Sequence, residues 1–80
     1  MTEQRVTPQP SRVLVRVFER AGFRVVRQRG DHIIMTKPGA RRALVIKAAT
    51  RAVPVTHILT NLRTAGIGRG EYLRLLGEVR

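Results

Sequence analysis

The chain has no cysteine and no tryptophan. Without thiols there is no disulfide framework and no thiolate metal site, so packing alone must hold the fold, and a reducing, cytoplasmic setting is the expected one. Acids are nearly as scarce. Five Asp and Glu are scattered along 80 residues with two histidines, His32 and His57, 25 positions apart. That inventory is too thin to gather the ligands of a catalytic metal or a carboxylate pair, and no cofactor is expected. The single serine, Ser11, heads an amphipathic stretch where capping is its simplest role, so a serine or cysteine triad has no parts. Long apolar runs are missing as well. Ile33–Met35 and Leu44–Ile46 fall far short of the ~20 residues that cross a bilayer, and Met1 to Pro10 does not read as a signal peptide.

What is abundant is positive charge. Lys and Arg number 16 against the five acids, a net charge of +11, and all but Lys37 and Lys47 are arginine. The planar guanidinium matches phosphate oxygens and stacks on bases, which an ammonium does not. A polyanion is the expected partner, either nucleic acid or an acidic protein masking the same face. A membrane surface is not expected, because no segment sets its cations opposite a wide apolar face.

A chain of this length forms one domain and buries only about 60–65% of its unfolded surface. Residues 1–10, polar with Pro8 and Pro10, are expected to form a flexible N-terminal tail, leaving 11–80 as the domain. Ser11 is placed to cap a helix whose apolar stripe is Val13, Leu14, Val17, Phe18 and Ala21, and Gly22 stops it. Strands are expected over 23–28, then from about Asp31 to Lys37, then from Arg41 to Lys47, with turns at Arg29-Gly30 and Pro38-Gly39. The faces of the second strand stay open, because Ile33, Ile34 and Met35 are consecutive. After a basic connector over 48–53, Pro54 opens a helix with Val55, Ile58, Leu59 and Leu62 as its stripe. Gly66 ends it, Ile67 folds back, and a last short helix runs from about Arg69 to Leu76. Gly66, Gly68 and Gly70 form a G-x-G-x-G run without a preceding strand or a Lys-Ser/Thr, and so read as a cap and a loose turn. The expected class is α+β: an antiparallel three-stranded sheet with helices on one face, the other left for a ligand.

The one chemical group that suits this basic setting is an imidazole. In metal-free RNA cleavage the ribose 2′-OH is the nucleophile, so the protein need supply only a base near neutral pKa and cations for the phosphate. His32 sits among Arg27, Arg29, Lys37, Arg41 and Arg42 on the neighbouring elements. A histidine at the start of a strand is more often a plain surface residue, so spacing alone does not assign it. His57 falls beside the stripe of the second helix, reads as solvated, and receives no role.

The stretch ERAGFRVVRQRGDHIIMTKPG from Glu19 to Gly39, together with AGIGRGEYLRLL from Ala65 to Leu76, resembles the HicA family of toxin ribonucleases. The AGF at 21–23, the VRQRGDH at 26–32 and the AGI at 65–67 carry the likeness. The resemblance implies a double-stranded-RNA-binding-domain-like α-β-β-β-α fold with an extra C-terminal helix. It implies an endoribonuclease toxin of a type II toxin–antitoxin system acting on messenger RNA, and a HicB-type antitoxin as protein partner. By position the family's catalytic histidine maps to His32, presented by the Gly30 turn, with Arg27, Arg29, Gly30, Lys37, Arg41 and Arg42 as RNA contacts. Asp31 either pairs with His32 or caps the turn, the second being favoured because adjacent strand residues point apart. The third strand ends in Ile46-Lys47 where many members have Val-Pro, and the 48–53 connector lacks their glycine-lysine pattern. A non-catalytic RNA-binding module of the same fold is therefore the alternative reading.

Overall fold

The computed structural model describes residues 5–80. Its elements are α1 (Ser11–Arg20), β1 (Arg24–Arg29), β2 (His32–Thr36), β3 (Leu44–Lys47), α2 (Val55–Ala65) and α3 (Arg69–Val79). The order is the expected one: a helix, three antiparallel strands, then two helices.

In α1, Leu14, Val17 and Phe18 are fully buried while Arg12, Arg16, Glu19 and Arg20 face water. Its start differs from expectation. Pro10 holds the extended N-cap conformation, and Ser11 is the first helical residue. The Ser11 hydroxyl therefore makes no cap; it accepts from the Thr50 N–H at 3.2 Å, while the Ser11 N–H donates to the Thr50 carbonyl at 2.8 Å. The helix start is thus tied to the connector after β3. At the other end Gly22 adopts φ +99°, and the Phe23 N–H reaches the Phe18 carbonyl at 2.9 Å, a Schellman closure. The same closure recurs after α2, where Gly66 has φ +73° and the Ile67 N–H bonds the Leu62 carbonyl at 2.9 Å.

The sheet order is β1-β2-β3. Arg29 pairs with His32, so the β1–β2 turn consists of Gly30 and Asp31, one position later than expected, with Gly30 at φ +56°. The β3 ladder begins only at Leu44, and Arg41 and Arg42 belong to the loop before it. Pairing also resolves the consecutive apolar residues of β2. Met35 opposes Leu44 and Ile33 opposes Ile46, and these project into the core; His32 opposes Lys47 and Ile34 opposes Val45 on the other face. In β1 a bulge between Val25 and Arg27 shifts the register, so that Arg24 pairs with Thr36 and Arg27 with Ile34. Arg24, Arg27 and Arg29 consequently share the open face with His32 and Lys47.

On the opposite face α1 and α2 pack against the sheet, and α3 lies on α1. Leu14, Val17 and Phe18 of α1, Ile58 and Leu62 of α2, and Tyr72, Leu75 and Leu76 of α3 join Met35, Leu44 and Ile46 in one core. Phe18 and Phe23 meet edge to face, with centroids 6.1 Å apart. Leu59, expected in the α2 stripe, is 41% exposed. Its inward place is taken by Asn61, whose Nδ2 donates to the Val45 carbonyl at 3.2 Å and closes the outer edge of β3. The last helix is longer than expected, running to Val79, and packs mainly on α1. Arg20 and Arg74 both reach the Glu78 carboxylate, at 2.7 and 2.8 Å.

Of the segment 1–10 expected as a tail, residues 1–4 lie outside those described. The remainder is docked: the Val53 N–H donates to the Gln9 carbonyl at 2.7 Å, Gln9 is buried, and Val6 packs on the core. The connector leaves Val53 with a free backbone edge, and Gln9 satisfies it. No helix among the described residues is long and apolar enough to cross a membrane.

Candidate functional site

The site is built from β2, β3, the loop before β3, and α2. Gly30 permits the tight turn, and His32 follows as the first residue of β2 with its side chain 54% exposed. Its Nδ1 lies 3.1 Å from Asp31 Oδ1. Asp31 stands in the turn rather than in the pleat, so the alternation that would separate adjacent strand residues does not apply. A carboxylate beside Nδ1 can orient the ring, and Nε2 is the nitrogen that does not face it. Across the ladder His32 has Lys47 on one side and Arg29 on the other. The backbones of two basic residues thus flank that of His32 at one strand spacing, about 5 Å.

Beside this row lies an open cavity of about 440 Å³ lined by His32, Lys47 and Arg42, and walled on the far side by α2 through His57, Thr60 and Thr64. The volume is in the range of small-ligand sites. Asn61, which bonds the Val45 carbonyl at 3.2 Å, joins α2 to β3 at the cavity wall. Among the described residues no group of three or more His, Cys, Asp or Glu is positioned to hold a metal ion.

The sequence-expected residues do not all converge. Arg27 and Arg29 lie on the open face, Gly30 shapes the turn, and Arg42 lines the cavity. Arg41 is exposed in the same loop but does not line it. Lys37 is elsewhere. Its Nζ sits 4.8 Å from the Phe23 ring centroid and 3.5 Å from the Ala21 carbonyl, so it closes the end of α1. Residues that sequence reasoning did not select also face the cavity, among them Lys47, His57, Thr60 and Thr64. The first follows from the β2–β3 register. The others belong to a polar stripe at His57, Thr60, Asn61 and Thr64, whose i, i+3, i+4, i+7 spacing marks one face of a helix.

An open three-stranded antiparallel sheet with a basic face, backed by helices in the order helix, three strands, two helices, defines a small α+β domain. The model of the family described as HicA toxin of bacterial toxin–antitoxin matches residues 11–67, from the start of α1 to the residue that closes α2. The chain belongs to the HicA toxin family. No curated protein matches it.

Proposed function

We infer that this toxin is an endoribonuclease that cleaves messenger RNA without a metal, using His32 for proton transfer and the open basic face to hold the strand. The observation that carries the reading is the position of His32. It is half exposed at the rim of the cavity, with Asp31 Oδ1 3.1 Å from its Nδ1 and with Lys47 and Arg29 as its ladder neighbours. In that arrangement Nε2 accepts the proton of a ribose 2′-OH as its oxygen attacks phosphorus, and Lys47 and Arg42 offset the charge that builds on the phosphate. No metal-activated water is required, because the substrate brings its own nucleophile. Arg24, Arg27 and Arg29 form a row along β1 that suits the backbone of a single strand. The protein partner of this reading is a HicB-type antitoxin laid over the same face, which supplies the acids that a chain of net charge +11 lacks.

The test is cleavage of single-stranded RNA by purified protein in EDTA, with growth of a bacterial host expressing the toxin followed in parallel. The wild type is expected to cut RNA and arrest growth, and His32→Ala to do neither while keeping the same melting temperature. Cleavage that persists in His32→Ala removes His32 from the mechanism. Salt-sensitive binding without products from the wild type would leave an RNA-binding module with no nuclease activity.

A further inference from the structure

Cleavage by the 2′-hydroxyl moves two protons. One leaves the 2′-oxygen as it bonds to phosphorus, and another must reach the 5′-oxygen as the P–O5′ bond breaks. Attacking and leaving oxygens stand on opposite sides of the phosphorus in an in-line displacement, so one imidazole is poorly placed to serve both in the same transition state. His32 therefore accounts for half of the proton traffic.

The other imidazole of the chain stands in the opposite wall of the same cavity. His57 is exposed on α2 and lines the space of about 440 Å³ with His32, Lys47 and Arg42. Its place is fixed from two directions. Ile58 and Leu62 anchor α2 in the core, and Asn61, one turn along from His57, is bonded to the Val45 carbonyl at 3.2 Å. No carboxylate lines the cavity, so nothing there competes with a phosphate for the cations. Neither ring nitrogen of His57 engages another described residue, which leaves both open to substrate.

We propose that His57 is a second catalytic residue of this site, the general acid that protonates the leaving 5′-oxygen while His32 takes the 2′ proton. The inference rests on the ribonuclease reading above. In the step, the 2′-O–P bond forms and the P–O5′ bond breaks. His32 Nε2 gains the proton of the 2′-OH, and the His57 imidazolium gives one to the 5′-oxygen. The products are a 2′,3′-cyclic phosphate and a 5′-hydroxyl, and exchange with solvent returns both rings to their starting states.

A bridging sulfur in place of the 5′-oxygen separates this role from any other. A thiolate leaves without being protonated, so an enzyme lacking only its general acid recovers on that substrate. The linkage cut by the wild type is mapped first, and two oligonucleotides are made with that linkage as phosphodiester or as 5′-bridging phosphorothiolate. On the oxygen substrate His57→Ala and His32→Ala are both expected to fall by roughly 10²–10⁴-fold. On the sulfur substrate His57→Ala returns to within a few-fold of wild type and His32→Ala stays low. Melting curves and binding to uncleavable 2′-deoxy oligonucleotide, expected to be unchanged, exclude misfolding and lost affinity. The proposal is overturned if His57→Ala cuts the oxygen substrate at the wild-type rate, or if its loss is equal on the two substrates. A wild type that cuts neither substrate overturns the ribonuclease reading itself.

Discussion

Replacing Tyr72 with phenylalanine is expected to make this protein more stable. Tyr72 is 0% exposed in the middle of the core, and its hydroxyl has no hydrogen-bond partner among the described residues. An unpaired buried hydroxyl costs about 1–3 kcal/mol by comparison with mutational data. Removing its oxygen opens a void of roughly 10–15 Å³, which at ~24 cal/mol per Å³ takes back about 0.3 kcal/mol. The net expectation for Tyr72→Phe is a gain of about 0.7–2.7 kcal/mol, or a rise in Tm of roughly 3–22 °C for a domain of this size. Calorimetry and urea unfolding of both proteins measure it. A second readout comes from alkaline pH. Burial raises the phenol above its ordinary value of 10.0, with Arg80 acting in the opposite sense. The native state thus holds the proton to higher pH than the unfolded chain does. The stability this carries is complete below the unfolded value and is lost as pH rises through the folded one. Wild type should weaken above about pH 10 in step with phenolate absorbance, which comes from Tyr72 alone, and Tyr72→Phe should lack that component. A variant less stable than wild type by 1 kcal/mol or more would refute the reasoning, because the hydroxyl would then be bonded.

Asn61→Ala removes the bond to the Val45 carbonyl, and a loss of about 0.5–1.5 kcal/mol is expected in urea unfolding, together with reduced RNA cleavage as the α2 wall loosens. Unchanged stability and cleavage would show that the core contacts of Ile58 and Leu62 position α2 unaided. The Glu78 carboxyl is held below its ordinary value of 4.5, first by the hydrogen bond from Arg20, then by the charges of Arg20 and Arg74. Its stabilising share is therefore present above that value and lost as pH falls through the lower folded one. Glu78→Gln should flatten the acid limb of the urea midpoint against pH, whereas an unchanged limb would show that the α1–α3 clamp contributes nothing. For RNA binding, each phosphate contact on a single strand adds about −0.7 to the slope of log K against log salt. The double variant Arg27→Ala/Arg29→Ala should make that slope shallower by about 1.4. Lys37→Met should leave it alone and instead lower Tm, since Lys37 is spent on Phe23 and the end of α1.

The parts of the fold legible in the sequence were those set by local chemistry. Gly22 and Gly66 ended their helices as expected, because a left-handed residue followed by a backward-bonding apolar one is a short-range device. Where a neighbour decides, local reading ran out. Ser11 has the chemistry of a cap, yet Thr50, 39 positions away, takes its hydroxyl. Leu59 continues the apolar period, yet the edge of β3 offered a carbonyl that only a donor satisfies, so Asn61 faces inward. Arg41 and Arg42 fit an extended strand, but the β2–β3 ladder stops at Leu44, leaving them no partner backbone. The same division holds for the site. The turn before His32 was legible at Gly30, though expected one residue early at Arg29-Gly30, whereas the facing of His57 depends on how α2 lies along β3. The polar stripe was visible in the sequence; what it faces was not.

The bulge in β1 makes one position of the chain indifferent to composition and dispensable to the register. Counting back by twos from Arg29 reaches Arg27, then Val25, then Phe23, so a regular strand would deliver Phe23 to water and Arg24 to the core. One uncounted residue at Val26 reverses this. Arg24 joins the row of cations opposite Thr36, and Phe23 goes inward to meet Phe18. Val26 itself is 48% exposed, so most side chains should be accepted there. Deletion of that one position should be accepted as well, because it removes the unpaired residue and joins both stretches in one register, with Arg24 still opposite Thr36 and Phe23 still directed to the core. What the strand cannot absorb is loss of the bulge with Val26 retained, so the backbone irregularity, and not the side chain that stands in it, decides which residues turn outward.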